Sequence, residues 1–159
     1  MRLPDKTAIV TGGANGISRA TSLLFARQGA FVVVADRDTR AGQECVETIQ
    51  AAAGRALFVA TDVSRDADVE QLAEIAATHC GGIDLLVNSA GVAIAGSAVD
   101  TDPARWQRVL DVNLSSVYRA CRAAIPRMLQ RSGGAIVNIA SLQGLYGWPQ
   151  YAAYAASKA

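Results

Sequence analysis

The sequence predicts an α/β fold, a doubly wound parallel sheet covered by helices on both faces, and three observations carry that expectation. Short runs rich in β-branched residues, Thr7 to Thr11, Phe31 to Ala35, Ala56 to Ala60, Leu85 to Asn88 and Ala135 to Ala140, are apolar on successive positions. Strands buried on both faces read this way, whereas half-exposed strands alternate. Longer helical stretches at about 15–28, 39–52, 65–79 and 103–130 separate the runs, each long enough to cross between parallel strands. The repeated strand-helix order then selects right-handed crossovers within one sheet.

The first strand runs into Thr11-Gly12-Gly13-Ala14-Asn15-Gly16-Ile17-Ser18 at the start of the first helix. Glycines there let the backbone turn sharply and approach a pyrophosphate, which the unpaired amides and positive end of a helix attract. Asp36 ends the second strand, twenty-four residues after Gly12, where a carboxylate can accept hydrogen bonds from adenosine ribose hydroxyls. Such a carboxylate repels a 2′-phosphate, so NAD is favoured over NADP. Arg37 works against that preference, because a guanidinium can neutralise the carboxylate or bind a phosphate. After the third strand, Asp62 and Val63 could approach the adenine amino group, or Asp62 is simply a loop acid. Ser64 is a candidate cap for the third helix, which ends at His79, Cys80 and the turn Gly81-Gly82. The lone histidine there reads as a helix-end cap or a solvated side chain.

Asp102 and Pro103 form a cap and first-turn pair for the fourth helix, and Pro126 is expected to kink or divide it. Trp106, Leu110, Asn113, Val117 and Cys121 follow the spacing of one core-facing stripe. Asn113 interrupts that stripe, and a buried amide there needs partners for its donors and acceptor. Beyond the fifth strand stands Ser141, followed by Leu142 to Gln150, whose Leu145, Tyr146 and Trp148 suit either a pocket lining or core packing. A final helix is expected from about Tyr151. On it Tyr154 and Lys158, four apart, project from one face, so an ammonium can sit beside a phenol and favour its ionised form. An ordinary phenol has a pKa of about 10, and reaching 7 takes roughly 4 kcal/mol of preferential phenolate stabilisation. Tyr151 has no lysine four residues after it.

The chain of 159 residues is 51% hydrophobic and 18% charged, which fits one domain spanning 1–159 with a well-filled core. Its formal charge of +1 comes from scattered basic residues, so no nucleic-acid face is expected. The apolar runs are too short to cross a bilayer and the N-terminus lacks a signal-peptide core, which places the protein in the cytoplasm. Cys45, Cys80 and Cys121, widely spaced and without a Cys-x-x-Cys pair, read as reduced structural thiols, and no metal site is expected.

The glycine turn, Asn88-Ser89-Ala90-Gly91, Asn113, Ser141 and the Tyr154–Lys158 pair occur in an order that resembles the short-chain dehydrogenase/reductase family, over essentially the whole chain. The resemblance implies a Rossmann-type sheet with strand order 3-2-1-4-5 in the part present. It also implies hydride transfer between a nicotinamide and a secondary alcohol or ketone. Tyr154 would then be the general acid/base, Lys158 would tune it and bond the nicotinamide ribose, and Ser141 would donate to the substrate oxygen. Asn113 would hold a water linking the lysine to solvent. Gly12, Asn15, Gly16, Ile17, Asp36, Arg37, Asp62 and Val63 would bind the cofactor with Asn88, Ala90, Gly91, Tyr154 and Lys158. A homo-oligomer using the fourth and last helices is also implied.

Two positions depart from the family pattern: Ser18 stands where glycine is usual, and Ser89 where asparagine is usual. Family members also continue past the lysine, and the apolar fifth strand would otherwise form an open sheet edge. The sequence is therefore expected to be the N-terminal portion of a longer enzyme. The alternative is a truncated, noncatalytic NAD-binding module.

Overall fold

Five strands, β1 (Thr7–Thr11), β2 (Phe31–Asp36), β3 (Arg55–Ala60), β4 (Leu85–Asn88) and β5 (Ala135–Asn138), form one parallel sheet in the order β3-β2-β1-β4-β5. This is the order the resemblance implied. The computed structural model describes all 159 residues. β1 lies at the centre, in register with β2 from Thr7↔Phe31 to Thr11↔Ala35 and with β4 from Ala8↔Leu85 to Val10↔Val87. Six α-helices connect and cover the strands: α1 (Gly16–Arg27), α2 (Thr39–Ala51), α3 (Asp66–His79), α4 (Pro103–Leu110), α5 (Ser116–Leu129) and α6 (Ala152–Lys158).

Alternate residues of the central strands feed two cores. Ile9, Val33, Val59 and Leu86 pack with Leu72 of α3 and Ala120 and Ala124 of α5. Ala8, Val10, Val32 and Val34 pack on the opposite face with Ala26 of α1 and Cys45 and Ile49 of α2. Apolar runs without alternation are what two covered faces require. β5 is the exception, an edge strand with Val137 half exposed, and it stops at Asn138, two residues before the expected end.

The expected single fourth helix is divided, but not at Pro126. A π-helical segment over Asp111–Ser115 joins α4 to α5, while Pro126 stays inside α5. Pro126 is on the exposed side, so the carbonyl left without its N–H partner faces solvent rather than a dry core. Side-chain donors serve the shifted ladder of the π segment, with the Ser116 hydroxyl donating to Val112 O (2.6 Å) and the Arg119 guanidinium to Asp111 O (3.2 Å).

The core stripe also lies about one residue away from the expected one. Val109, Val112, Ser116, Ala120, Ala123 and Met128 are buried with Asn113, whereas Trp106 is exposed and Leu110, Val117 and Cys121 are only partly covered. Small side chains let α5 approach the sheet closely, so the large apolar residues face outward. Asp102 caps α4 as expected, accepting from Arg105 N at 2.9 Å. Ser64 does not cap α3. Its hydroxyl donates to Asp62 Oδ1 at 2.6 Å, and Arg65 occupies the cap position. His79 is the exposed last residue of α3, and the three cysteines are unpaired. No helix is long and apolar enough to cross a membrane.

At the end of the sheet opposite the strand C-termini, one carboxylate gathers the chain. Asp84 is buried, accepts from Thr7 N (2.9 Å) and Lys6 Nζ (3.2 Å), and lies 3.5 Å from Arg131 Nε. Burial pushes its carboxyl upward, but the hydrogen bonds and the two cations outweigh burial and hold it below the usual carboxylate range. A depressed folded value contributes stability that is present above the unfolded carboxylate pKa of about 3.9 and is lost as pH falls through the folded value. Asp84→Asn is therefore expected to lower stability at neutral pH by about 2–4 kcal/mol and to flatten the acid limb of the stability curve. Urea unfolding across pH measures both.

Candidate active site

A cavity of about 800 Å³ opens at the C-terminal ends of the strands, the edge where doubly wound sheets bind ligands. Its floor is the glycine turn between β1 and α1. Gly12 has φ 65°, and a Cβ there would stand 2.9 Å from Ala90 Cα, so only glycine allows β1 and β4 to end this close together. Gly16 has φ 53° and open space where a Cβ would project. The amides of Gly16, Ile17 and Ser18 donate to no backbone carbonyl, and Asn15 makes no side-chain cap. Free donors at the positive end of a twelve-residue helix, under open space, fit the pyrophosphate of a dinucleotide.

Asp36 lies along one wall, its two carboxylate oxygens accepting from Ala14 N (3.2 Å) and Asp38 N (3.1 Å). Those bonds fix the carboxylate and leave further lone pairs for ligand hydroxyls. Arg37, Asp62 and Val63 line the same region. Asp62 is partly buried, which raises its carboxyl pKa, but two hydrogen bonds from Ser64 and the charges of Arg108 and Arg37 outweigh that and hold it below the usual range. Arg108 comes from α4, donates to Ser64 Oγ at 2.9 Å and lies 3.7 Å from Asp62. The sequence reading missed this cavity-lining cation, because only the tertiary fold carries α4 back over the loop after β3.

The opposite wall holds Ser141, Tyr154 and Lys158. Ser141 precedes a 3₁₀ turn over Leu142–Gly144, and its Oγ accepts from Gln143 N at 3.2 Å. Tyr154 and Lys158 lie one turn apart on α6, so both reach the cavity from one helix face. Lys158 Nζ donates to Ile139 O at 2.7 Å. With no carboxylate beside it, burial pushes its ammonium below the usual lysine range. Tyr151 does not line the cavity; it pairs as a bridge with Gly96 and its ring stands edge-on to Tyr154.

Of the residues expected at the cofactor or the reacting centre, Gly12, Asn15, Gly16, Ile17, Ala90 and Gly91 line the cavity, whereas Asn88 and Asn113 do not. Asn88 is buried and donates to Asn138 Oδ1 at 2.9 Å, a strut between β4 and the edge strand. Its Nδ2 also lies 3.8 Å from Cys121 Sγ of α5, so the amide is committed beneath that helix. Asn113 is also buried behind the wall. Its Oδ1 accepts from Val92 N (2.8 Å), while Nδ2 donates to Val92 O (3.0 Å) and Ser157 Oγ (2.9 Å). Ser157 in turn donates to Tyr154 O at 2.7 Å. The sequence reading assigned Ser157 no role, since nothing local marks it as the partner of a residue forty-four positions away. Leu145, Tyr146 and Trp148 neither line the cavity nor fill a core, and all three are exposed.

Asn113→Ala would orphan the Val92 amide and carbonyl and free α6 from the π segment. The expected cost is about 2–4 kcal/mol, read as a lower urea midpoint with an unchanged denaturant slope.

The chain matches the short chain dehydrogenase family over residues 6–159. It is 40% identical over 159 residues to the 3beta-hydroxysteroid dehydrogenase 1 of Eggerthella lenta, covering 99% of this chain and 61% of that protein. It is 36% identical over 155 residues to the cyclohexanol dehydrogenase of an Acinetobacter species, covering 97% of this chain and 62% of that protein. Among solved structures, a 7α-hydroxysteroid dehydrogenase complexed with NADH and 7-oxo glycochenodeoxycholic acid superposes with a TM-score of 0.95 at 32% identity. That match covers 99% of this chain and 61% of the other. The chain thus spans about three fifths of the length of these relatives, and it belongs to the short-chain dehydrogenase family.

Proposed function

We propose that this chain carries the coenzyme-binding and proton-transfer parts of an NAD-dependent dehydrogenase that interconverts a secondary alcohol and a ketone. The observation that carries the reading is one continuous cavity with free helix amides and Asp36 at one end and Ser141, Tyr154 and Lys158 at the other. Relatives named for hydroxysteroid and cyclohexanol oxidation support an alcohol carbon as the reacting centre. A bound nicotinamide supplies the hydride acceptor or donor.

Each side chain has a task its contacts permit. The Ser141 oxygen accepts from Gln143 N, so its O–H remains to donate to the substrate oxygen. Tyr154 exchanges a proton with that same oxygen. Lys158, anchored on Ile139 O, places a cation where negative charge develops on the phenol as the proton leaves. Asn113 acts through position, because both its N–H donors are committed inside the chain. Only its carbonyl oxygen keeps capacity for a relay water. The Asp36 carboxylate stands where a 2′-phosphate would meet like charge, which favours NAD despite Arg37 nearby.

The reading extends to a homo-oligomer. Leu114, Tyr118, Ile125 and Leu129 are exposed by 41–69% and spaced along one side of the π segment and α5, an apolar strip suited to a second copy. The three free thiols and the absence of a membrane-spanning helix are compatible with a cytoplasmic setting.

NADH titration for binding, then nicotinamide absorbance with NAD+ and a panel of cyclic secondary alcohols, tests the reaction. Turnover is expected to fall at least about 100-fold in Tyr154→Phe while NADH affinity changes less than about threefold. NADH binding without turnover on any substrate would assign a noncatalytic module instead, and no binding at all would sink both readings. Replacing Tyr118 and Leu129 together by Glu is expected to shift the sedimenting species to monomer mass.

A further inference from the structure

Ser18, at the end of the glycine turn, and Ser89, just after β4, are brought into contact by the fold. Their hydroxyl oxygens lie 2.7 Å apart, although the residues are seventy-one positions apart in sequence. Ser18 is in the first turn of α1 and is 5% exposed; Ser89 directly follows β4 and is partly buried. Both line the cavity.

The bond closes a network. Thr11 Oγ1, at the end of β1, donates to Val87 O (3.3 Å) and accepts from Ser89 N (3.1 Å) and Ala90 N (3.2 Å). The end of β1 and the β4 loop are therefore already tied to each other. The tip of α1 has no such tie: Asn15 makes no side-chain cap, and the amides of Gly16 to Ser18 are uncommitted. The side-chain link from that first turn to the β4 loop is Ser18 to Ser89. Two residues further along that loop, Gly91 borders Asn113 and Lys158, with Asn113 Oδ1 3.4 Å and Lys158 Nζ 3.9 Å from the place a Cβ would occupy.

We propose that the Ser18–Ser89 hydroxyl pair is a positioning lock that holds the α1 amides at a fixed separation from the β4 loop and the Lys158 side of the cavity. The proposal rests on the dinucleotide reading. A ligand spanning both ends must meet two donor sets at once, and a preformed separation removes the ordering that binding would otherwise have to supply. The two serines act as a unit, since either hydroxyl alone leaves the tie open.

The test is a double-mutant cycle on the full chain with Ser18→Ala, Ser89→Ala and both together. NADH affinity is read from the change in NADH emission on binding, and thermal midpoints are recorded in parallel. Each single variant is expected to weaken NADH by about three- to tenfold. The double variant should lose no more than the worse single one, with midpoints of all four proteins close together. Unchanged affinity in the single variants, losses that multiply in the double, or losses that follow falling midpoints would each overturn the lock while leaving dinucleotide binding intact. If the unsubstituted chain does not bind NADH, the dinucleotide reading fails and the lock with it. Should Ser18→Ala not fold, Ser89→Ala against the hydroxyl-retaining Ser89→Thr decides: the first must lose affinity and the second must recover it.

Discussion

One buried carboxamide sets the geometry on which the candidate active site depends. Asn113 holds the segment after β4 by both groups of Val92 and holds α6 through Ser157, all from within a π-helical segment. A buried amide that lost any of these partners would leave polar groups unsatisfied, so the three segments are driven toward one arrangement. Tyr154 and Lys158 inherit their placement from it, because Ser157 lies between them on the same short helix. A seven-residue helix has little stability of its own. Its order must come from such contacts.

The π segment makes this possible. Widening the helix by one residue interrupts the regular ladder, and side chains of Ser116 and Arg119 supply donors to its carbonyls. The chain can then turn a polar residue inward in the middle of an otherwise apolar face. Lys158 carries the opposite kind of cost. Its ammonium is partly removed from water with a single carbonyl as partner and no counter-ion, so its burial costs stability rather than adding to it.

The sheet was legible because its physics is local. β-branched runs buried on both faces, separated by helices of crossover length, leave few topologies, and all five strands fall within two residues of the expected bounds. The glycine turn and Asp36 were equally plain, since a strand-to-helix turn and a strand end follow directly from those assignments. The errors share one cause. The expected stripe gave large side chains to the core of the fourth helix, whereas close packing on the sheet selects Ala120, Ala123 and Ala124 and leaves Trp106 outside, with Leu110 and Val117 only partly covered. Pro126 was read as a break because its missing N–H is a local fact, while its exposed position is a tertiary one. Asn88, expected near the cofactor through the family resemblance, lies outside the cavity lining, because Asn138 on the neighbouring strand captures its amide.

By itself, then, the sequence determined the layering, the strand order through its family pattern, and the residue types expected at a dinucleotide and proton-transfer site. Those depend on neighbours within a few positions, where backbone preference and hydrophobic periodicity act. Tertiary structure alone decided which of those residues face the cavity, that Arg108 lines it while Ser157 braces α6 behind it, and that Ser18 and Ser89 meet. Each of those outcomes joins residues dozens of positions apart, and a hydrogen bond of about 3 Å between them exists only after the crossovers have closed.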